Sequence, residues 1–99
     1  MMGLQHLTNL QTLILSFNEI KCIKGLSGCP NLTRLDLNHN FIQKIENLEN
    51  QSKLKHLNLS NNWISDSRTD LTYLSSKCQS LEELHLKCNP IAGQSNYRI

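Results

Sequence analysis

A chain of 99 residues with four histidines and four cysteines invites a search for acid–base and metal chemistry first. His56 and Glu83 hold equivalent places in a repeating pattern, and Arg34 holds that place one repeat earlier. An imidazole beside a carboxylate is a pairing that tunes a general base. Here it stands without a nucleophile elbow, a phosphate-cradling loop or paired carboxylates. An open repeat surface also lacks the water-excluding pocket that catalysis favours. His85 and Cys88 spell H-x-x-C, but a closed zinc site needs about four ligands, and the chain contains no C-x-x-C. Cys29 and Cys78 share a place in the pattern with Leu7, which predicts small buried apolar side chains. Cys22 and Cys88 lie at scattered positions. No catalytic residue, cofactor, metal or small-molecule substrate is expected.

The pattern that places these residues is an internal repeat, and it decides the fold. Leu13, Leu35, Leu57 and Leu84 each begin the skeleton L-x-L-x-x-N-x-I, at spacings of 22, 22 and 27 residues. Leu15, Leu37, Leu59 and Leu86 follow, then Asn18, Asn40, Asn62 and Asn89, then Ile20, Ile42, Ile64 and Ile91. Alternating leucines point to one face of a short strand, and stacking the next repeat closes a core over them. Strand motifs are expected near 13–18, 35–40, 57–62 and 84–89. After each strand the backbone must turn, leaving groups without ladder partners. An Asn side chain carries both donors and an acceptor, so it can satisfy the turn of its own repeat and the next. The Asn positions are therefore read as a structural ladder rather than as catalytic groups.

The longer fourth repeat carries its extra residues in "SDSRTDLTYLSSKCQS". Ser67 followed by Asp70 resembles a capping box, and Leu71, Leu74 and Cys78 fall on one helical face. A helix over about 68–78 is predicted there, packing its apolar stripe on the core. The fold expected is an α/β right-handed solenoid. Its short parallel strands line the concave face, and turns with one helix form the convex face.

Segments such as "LTRLDLNHNFIQKIENL" and "LKHLNLSNNWI" resemble leucine-rich repeats of the short, 22-residue class. That class includes a regulatory subunit of protein phosphatase one, a leucine-rich axonemal dynein light chain and a spliceosomal leucine-rich protein. Asn89-Pro90-Ile91 and Tyr97-Arg98 resemble the opening of the C-terminal cap those families share, over 89–99. The resemblance implies a module for protein–protein recognition, a scaffold or regulatory adaptor. A ribonucleoprotein or ciliary–dynein assembly is the alternative setting. "GLQHLTNL" at 3–10 matches "GLSGCPNL" at 25–32, and the cap motif stops at Ile99. Both features predict a fragment of a longer repeat protein within one domain spanning 1–99.

Composition narrows the partner. A formal charge of +2, with scattered Lys and Arg, argues against a surface built for nucleic acid. No apolar stretch is long enough to cross a bilayer, and "MMGLQHLTNL" lacks the layout of a secretory signal. An intracellular, reducing compartment is expected: cytoplasm, with cilium, cytoskeleton or nucleus as variants. The protein is expected as a monomer or as part of a larger assembly. Its partner is expected to be a protein meeting the residues between the fixed leucines. In register these form one column of Thr12, Arg34, His56 and Glu83, and another of Ile14, Asp36, Asn58 and His85. A third runs Ser16, Asn38, Ser60 and Lys87. Phe41 and Trp63 fill one slot in adjacent repeats, where the first repeat has Glu19 and the last Pro90. The core therefore does not demand an aromatic there. Strands about 4.8 Å apart would let the two rings touch, with Phe17 nearby at the rim.

Overall fold

The computed structural model describes residues 7–65 and 67–90, with the side chains of Ser67 and Arg68 left aside. The element order is β1 (Thr12–Ile14), β2 (Arg34–Asp36), β3 (His56–Asn58), α1 (Ser67–Lys77) and β4 (Glu83–His85). The strands form one parallel sheet in sequence order, each repeat pairing with the next. Each strand has three residues, shorter than the motif spans expected from sequence. The turn after the second leucine ends the regular strand, although single backbone bonds continue past it. Leu15 N donates to Asp36 O at 2.8 Å and Phe17 N to Asn38 O at 3.0 Å, and later repeats repeat the scheme.

The leucines of the inner repeats carry the core. Leu35, Leu37, Leu57 and Leu59 are completely buried, as are Ile42 and Ile64 from the turns that follow. Leu10, Leu13, Leu15 and Ile20 of the first repeat are only partly buried against that core. The fold is a leucine-rich-repeat solenoid, with its sheet concave and its turns and helix convex.

On the convex side polar side chains tie each repeat to the one before it. Gln51 is buried in the place that Cys29 and Cys78 occupy in their repeats. Its amide nitrogen donates to Leu26 O at 2.8 Å and Cys29 O at 3.3 Å. Asn47 Nδ2 donates to Ile23 O at 2.7 Å from a left-handed backbone (φ 59°), the conformation Gly25 adopts 22 residues earlier. Asn tolerates that conformation, and Gly favours it.

Helix α1 starts and ends one residue before the expected 68–78. Ser67 is thus the first helical residue rather than the residue preceding the helix, a one-position difference at a frayed end. Leu74 and Cys78 are buried and Leu71 is partly buried, so the apolar stripe faces the core. Asp70 in the first turn and Lys77 in the last complement the helix dipole. Tyr73 fastens the helix to the neighbouring repeat: its hydroxyl accepts from Leu48 N at 2.8 Å and donates to Glu49. Burial, then the bond to Glu49, pushes that hydroxyl's pKa up to about 12. Ile91, Tyr97 and Arg98, and with them the expected cap beyond Pro90, lie outside the described residues, as does the segment 3–6.

Candidate protein-binding faces

Register fixes the concave columns. Thr12 pairs with Arg34, Arg34 with His56, and His56 with Glu83. Ile14, Asp36, Asn58 and His85 form the next column in the same way. The structure brings Ile14, Arg34, Asp36, His56, Asn58, Glu83 and His85 around one shallow depression of about 120 Å³. Ile14 is 60% exposed there. Lys87 lies outside the lining, two residues beyond His85.

Two of these polar residues are partly committed to the backbone. Asp36 Oδ1 accepts from Asn38 N at 2.9 Å, and Asn58 Oδ1 accepts from Ser60 N at 3.0 Å. These are Asx-type turns that help end the strands. Glu83 is placed differently: its Oε2 lies 3.1 Å from His56 Nδ1 and 3.5 Å from His85 Nε2. His56, then His85, holds the Glu83 carboxyl below its ordinary pKa. Arg34 stands beside His56 and is exposed.

The rim is built by the turn after each strand. Phe17, His39, Asn61 and Cys88 occupy equivalent places and adopt φ of 59°, 58°, 59° and 61°. Left-handed backbone without glycine carries a cost for most residues. Two contacts join neighbouring repeats at these turns. The Phe17 ring stacks on His39 with centroids 4.2 Å apart, and Asn61 Nδ2 donates to Asn38 Oδ1 at 3.0 Å. This stack was not among the contacts expected from sequence, which paired Phe41 with Trp63. Phe41 and Trp63 border a shared groove of about 390 Å³ with His39, Asn61, Cys88 and Pro90. Phe41 is 46% exposed and Trp63 58% exposed, while their backbones are anchored to Ile20 O and Ile42 O. Reading by sequence missed His39 and Asn61; their shared place one residue before the ladder Asn was the available signal.

The Asn column divides in two. Asn62 Nδ2 reaches Leu59 O at 3.0 Å and Ser60 O at 3.1 Å in its own repeat, and Leu37 O at 3.0 Å in the preceding one. Its Oδ1 accepts from Ile42 N at 3.0 Å. Asn40 and Asn89 make the same set, including bonds from Ile20 N and Ile64 N. The second repeat served is thus the preceding one, not the next as expected, because the side chain points back along the stack. Asn18 is exposed and, among the described residues, donates only within its own repeat, to Leu15 O and Ser16 O. It does not share the two-repeat role expected of the whole column.

Among the described residues no cluster of three or more His, Cys, Asp or Glu could hold a metal ion, and no helix is long and apolar enough to cross a membrane. The profile of a family described as "Leucine Rich repeats (2 copies)" matches residues 8–50 and again 52–96. The chain belongs to the leucine-rich-repeat family. A chain of the Drosophila melanogaster SNF/U2A′ complex is similar over 93% of this protein, with 31% identity and a TM-score of 0.81. An internalin of Listeria monocytogenes is similar over 82%, with 31% identity and a TM-score of 0.68. This leucine-rich-repeat chain spans 53% of the first structure's chain and 22% of the second's. No curated protein gives a significant match.

Proposed function

We propose that this leucine-rich-repeat chain is an intracellular protein–protein recognition module, a scaffold or regulatory adaptor without chemistry of its own. It binds a protein partner through the concave depression and the adjoining aromatic rim. The observation that carries this reading is Trp63 beside Phe41, both exposed along one groove, in a slot that the fold fills elsewhere with Glu19 or Pro90. Exposed aromatics beside a polar surface are the usual makings of a binding hot spot. Arg34, Asp36, His56, Asn58, Glu83, His85 and Lys87 supply the polar selection, with Ile14 and Phe17 as further apolar contacts.

A second reading, a fixed component of a larger assembly such as a ribonucleoprotein or a dynein complex, draws on the likeness to a chain of the SNF/U2A′ complex. Affinity purification from cells followed by mass spectrometry distinguishes a regulated client from a constitutive assembly. Against the purified partner, Trp63→Ala should weaken binding by about 2 kcal/mol while melting like the parent. Charge reversal at Asp36 should weaken it too, whereas changes at Lys53 and Gln79 on the convex side should be near neutral. Loss of affinity confined to the convex changes would overturn the reading and move the site to α1.

A further inference from the structure

The concave depression holds one carboxylate oxygen that two imidazoles approach, Glu83 Oε2 with His56 Nδ1 at 3.1 Å and His85 Nε2 at 3.5 Å. Resting on the reading above, we infer that Glu83 is the docking carboxylate for a Lys- or Arg-bearing segment of the partner, and that protonation of His56 and His85 withdraws it.

Charge around the depression supports a basic occupant. β1 contributes Thr12 and Ile14, which do not titrate; β2 contributes Arg34 and Asp36; β3 contributes His56; β4 contributes Glu83 and His85. With neutral imidazoles the lining has one negative charge in excess, and a cation is drawn in. With both imidazoles protonated it has one positive charge in excess, and Lys87 just beyond adds to the repulsion. Glu83 is then neutralised from within by the two adjacent imidazolium charges. Asp36 is the poorer docking group, because one of its oxygens already closes a backbone turn with Asn38. Glu83 lies on a strand with its side chain about half exposed, so it can exchange a histidine for a partner cation without unfolding. Ile14 offers apolar surface for the aliphatic stem of a lysine or arginine. Histidine is the residue type whose charge ordinarily changes between about pH 5 and 8, so pH is the variable that tests the exchange.

The test uses the acetylated, amidated peptide Arg-Leu-Arg-Leu as probe, followed by amide NMR titration of the whole chain. At about pH 7.5 the peptide should shift amides of β2, β3 and β4, and at about pH 5.5 its affinity should fall on the order of tenfold. Glu83→Gln should abolish binding at the higher pH. The double variant His56→Gln, His85→Gln should bind at both. Equal affinity of the parent at the two pH values, binding that survives Glu83→Gln, or no binding near pH 7.5 each overturns the inference. A purified partner held by the concave face with no pH dependence leaves the recognition module standing and sinks only this mechanism.

Discussion

Asn18 and Asn62 occupy the same place in the same motif, yet they do different work. Asn62 is 5% exposed and joins two repeats through four bonds, three donated and one accepted. Asn18 is exposed, and its two bonds stay within its own turn. The leucines show the same divide: Leu57 is completely buried, whereas Leu13, paired through β2, is only partly so. In a stacked fold the energetic weight of a residue is set by the neighbouring repeat, not by its own motif. One consensus letter therefore covers a core group and a surface group.

The largest effect that tests this divide is a cavity. Leu57→Ala should destabilise by about 3–4 kcal/mol, and Leu13→Ala by roughly half of that, since less surface is withdrawn from water there. Urea midpoints report both. Equal losses would mean that the first repeat is as well packed as the third. The Asn pair should follow the same order with smaller numbers. Asn62→Ala leaves Ile42 N without its partner inside the core and takes one of two side-chain donors from Leu37 O and Leu59 O, which keep Asn40 and Asn89. We expect a loss on the order of 2–3 kcal/mol, against less than about 1 kcal/mol for Asn18→Ala. If Asn18→Ala proves as damaging, burial by the neighbouring repeat is not what gives the ladder its weight.

This comparison also marks what was legible in the chain. Spacing of the leucines was enough to place Thr12, Arg34, His56 and Glu83 in one row, because a fixed repeat length leaves the register no freedom. The period says nothing about direction along the stack, so the tie from Asn62 back to Leu37 had to be seen. Gln51 was hidden in a column that otherwise reads Leu7, Cys29 and Cys78, where a single amide looks like a surface exception. It is a buried connector instead. The left-handed column of Phe17, His39, Asn61 and Cys88 carries no glycine, so the usual sign of positive φ was missing. The Phe17–His39 stack sits in that column and was missed with it.

The thiols extend the contrast between interior and surface. Cys22 and Cys88 are exposed, while Cys29 and Cys78 are buried. Burial pushes the Cys78 thiol up to about 11, which leaves little reactive thiolate near neutral pH. A colorimetric thiol reagent should label Cys22 and Cys88 quickly in the native protein and the other two at the rate of opening. Peptide mapping after a short exposure checks the assignment. Fast labelling of Cys78 would show that α1 does not hold its stripe against the core.

The smallest effect concerns Glu83, the surface group whose environment is most specific. His56 is the larger cause of its lowered pKa and His85 the smaller. In a carboxyl-carbon NMR titration the Glu83 midpoint should lie below its ordinary value of 4.5. His56→Gln should move it back upward further than His85→Gln does. A carboxyl whose pKa is lower in the folded chain than in the unfolded one binds protons less readily when folded. Its stabilising contribution is therefore present above the unfolded value and is lost as pH falls through the folded one. Glu83→Gln should remove only that acid-side slope from the melting curve and leave the rest of the profile unchanged. The group sits in water, so the slope is slight. A larger rise for His85→Gln than for His56→Gln would mean that the 3.5 Å contact, not the 3.1 Å one, governs the carboxylate. The docking carboxylate would then be controlled from the end of β4 rather than from its neighbour on β3.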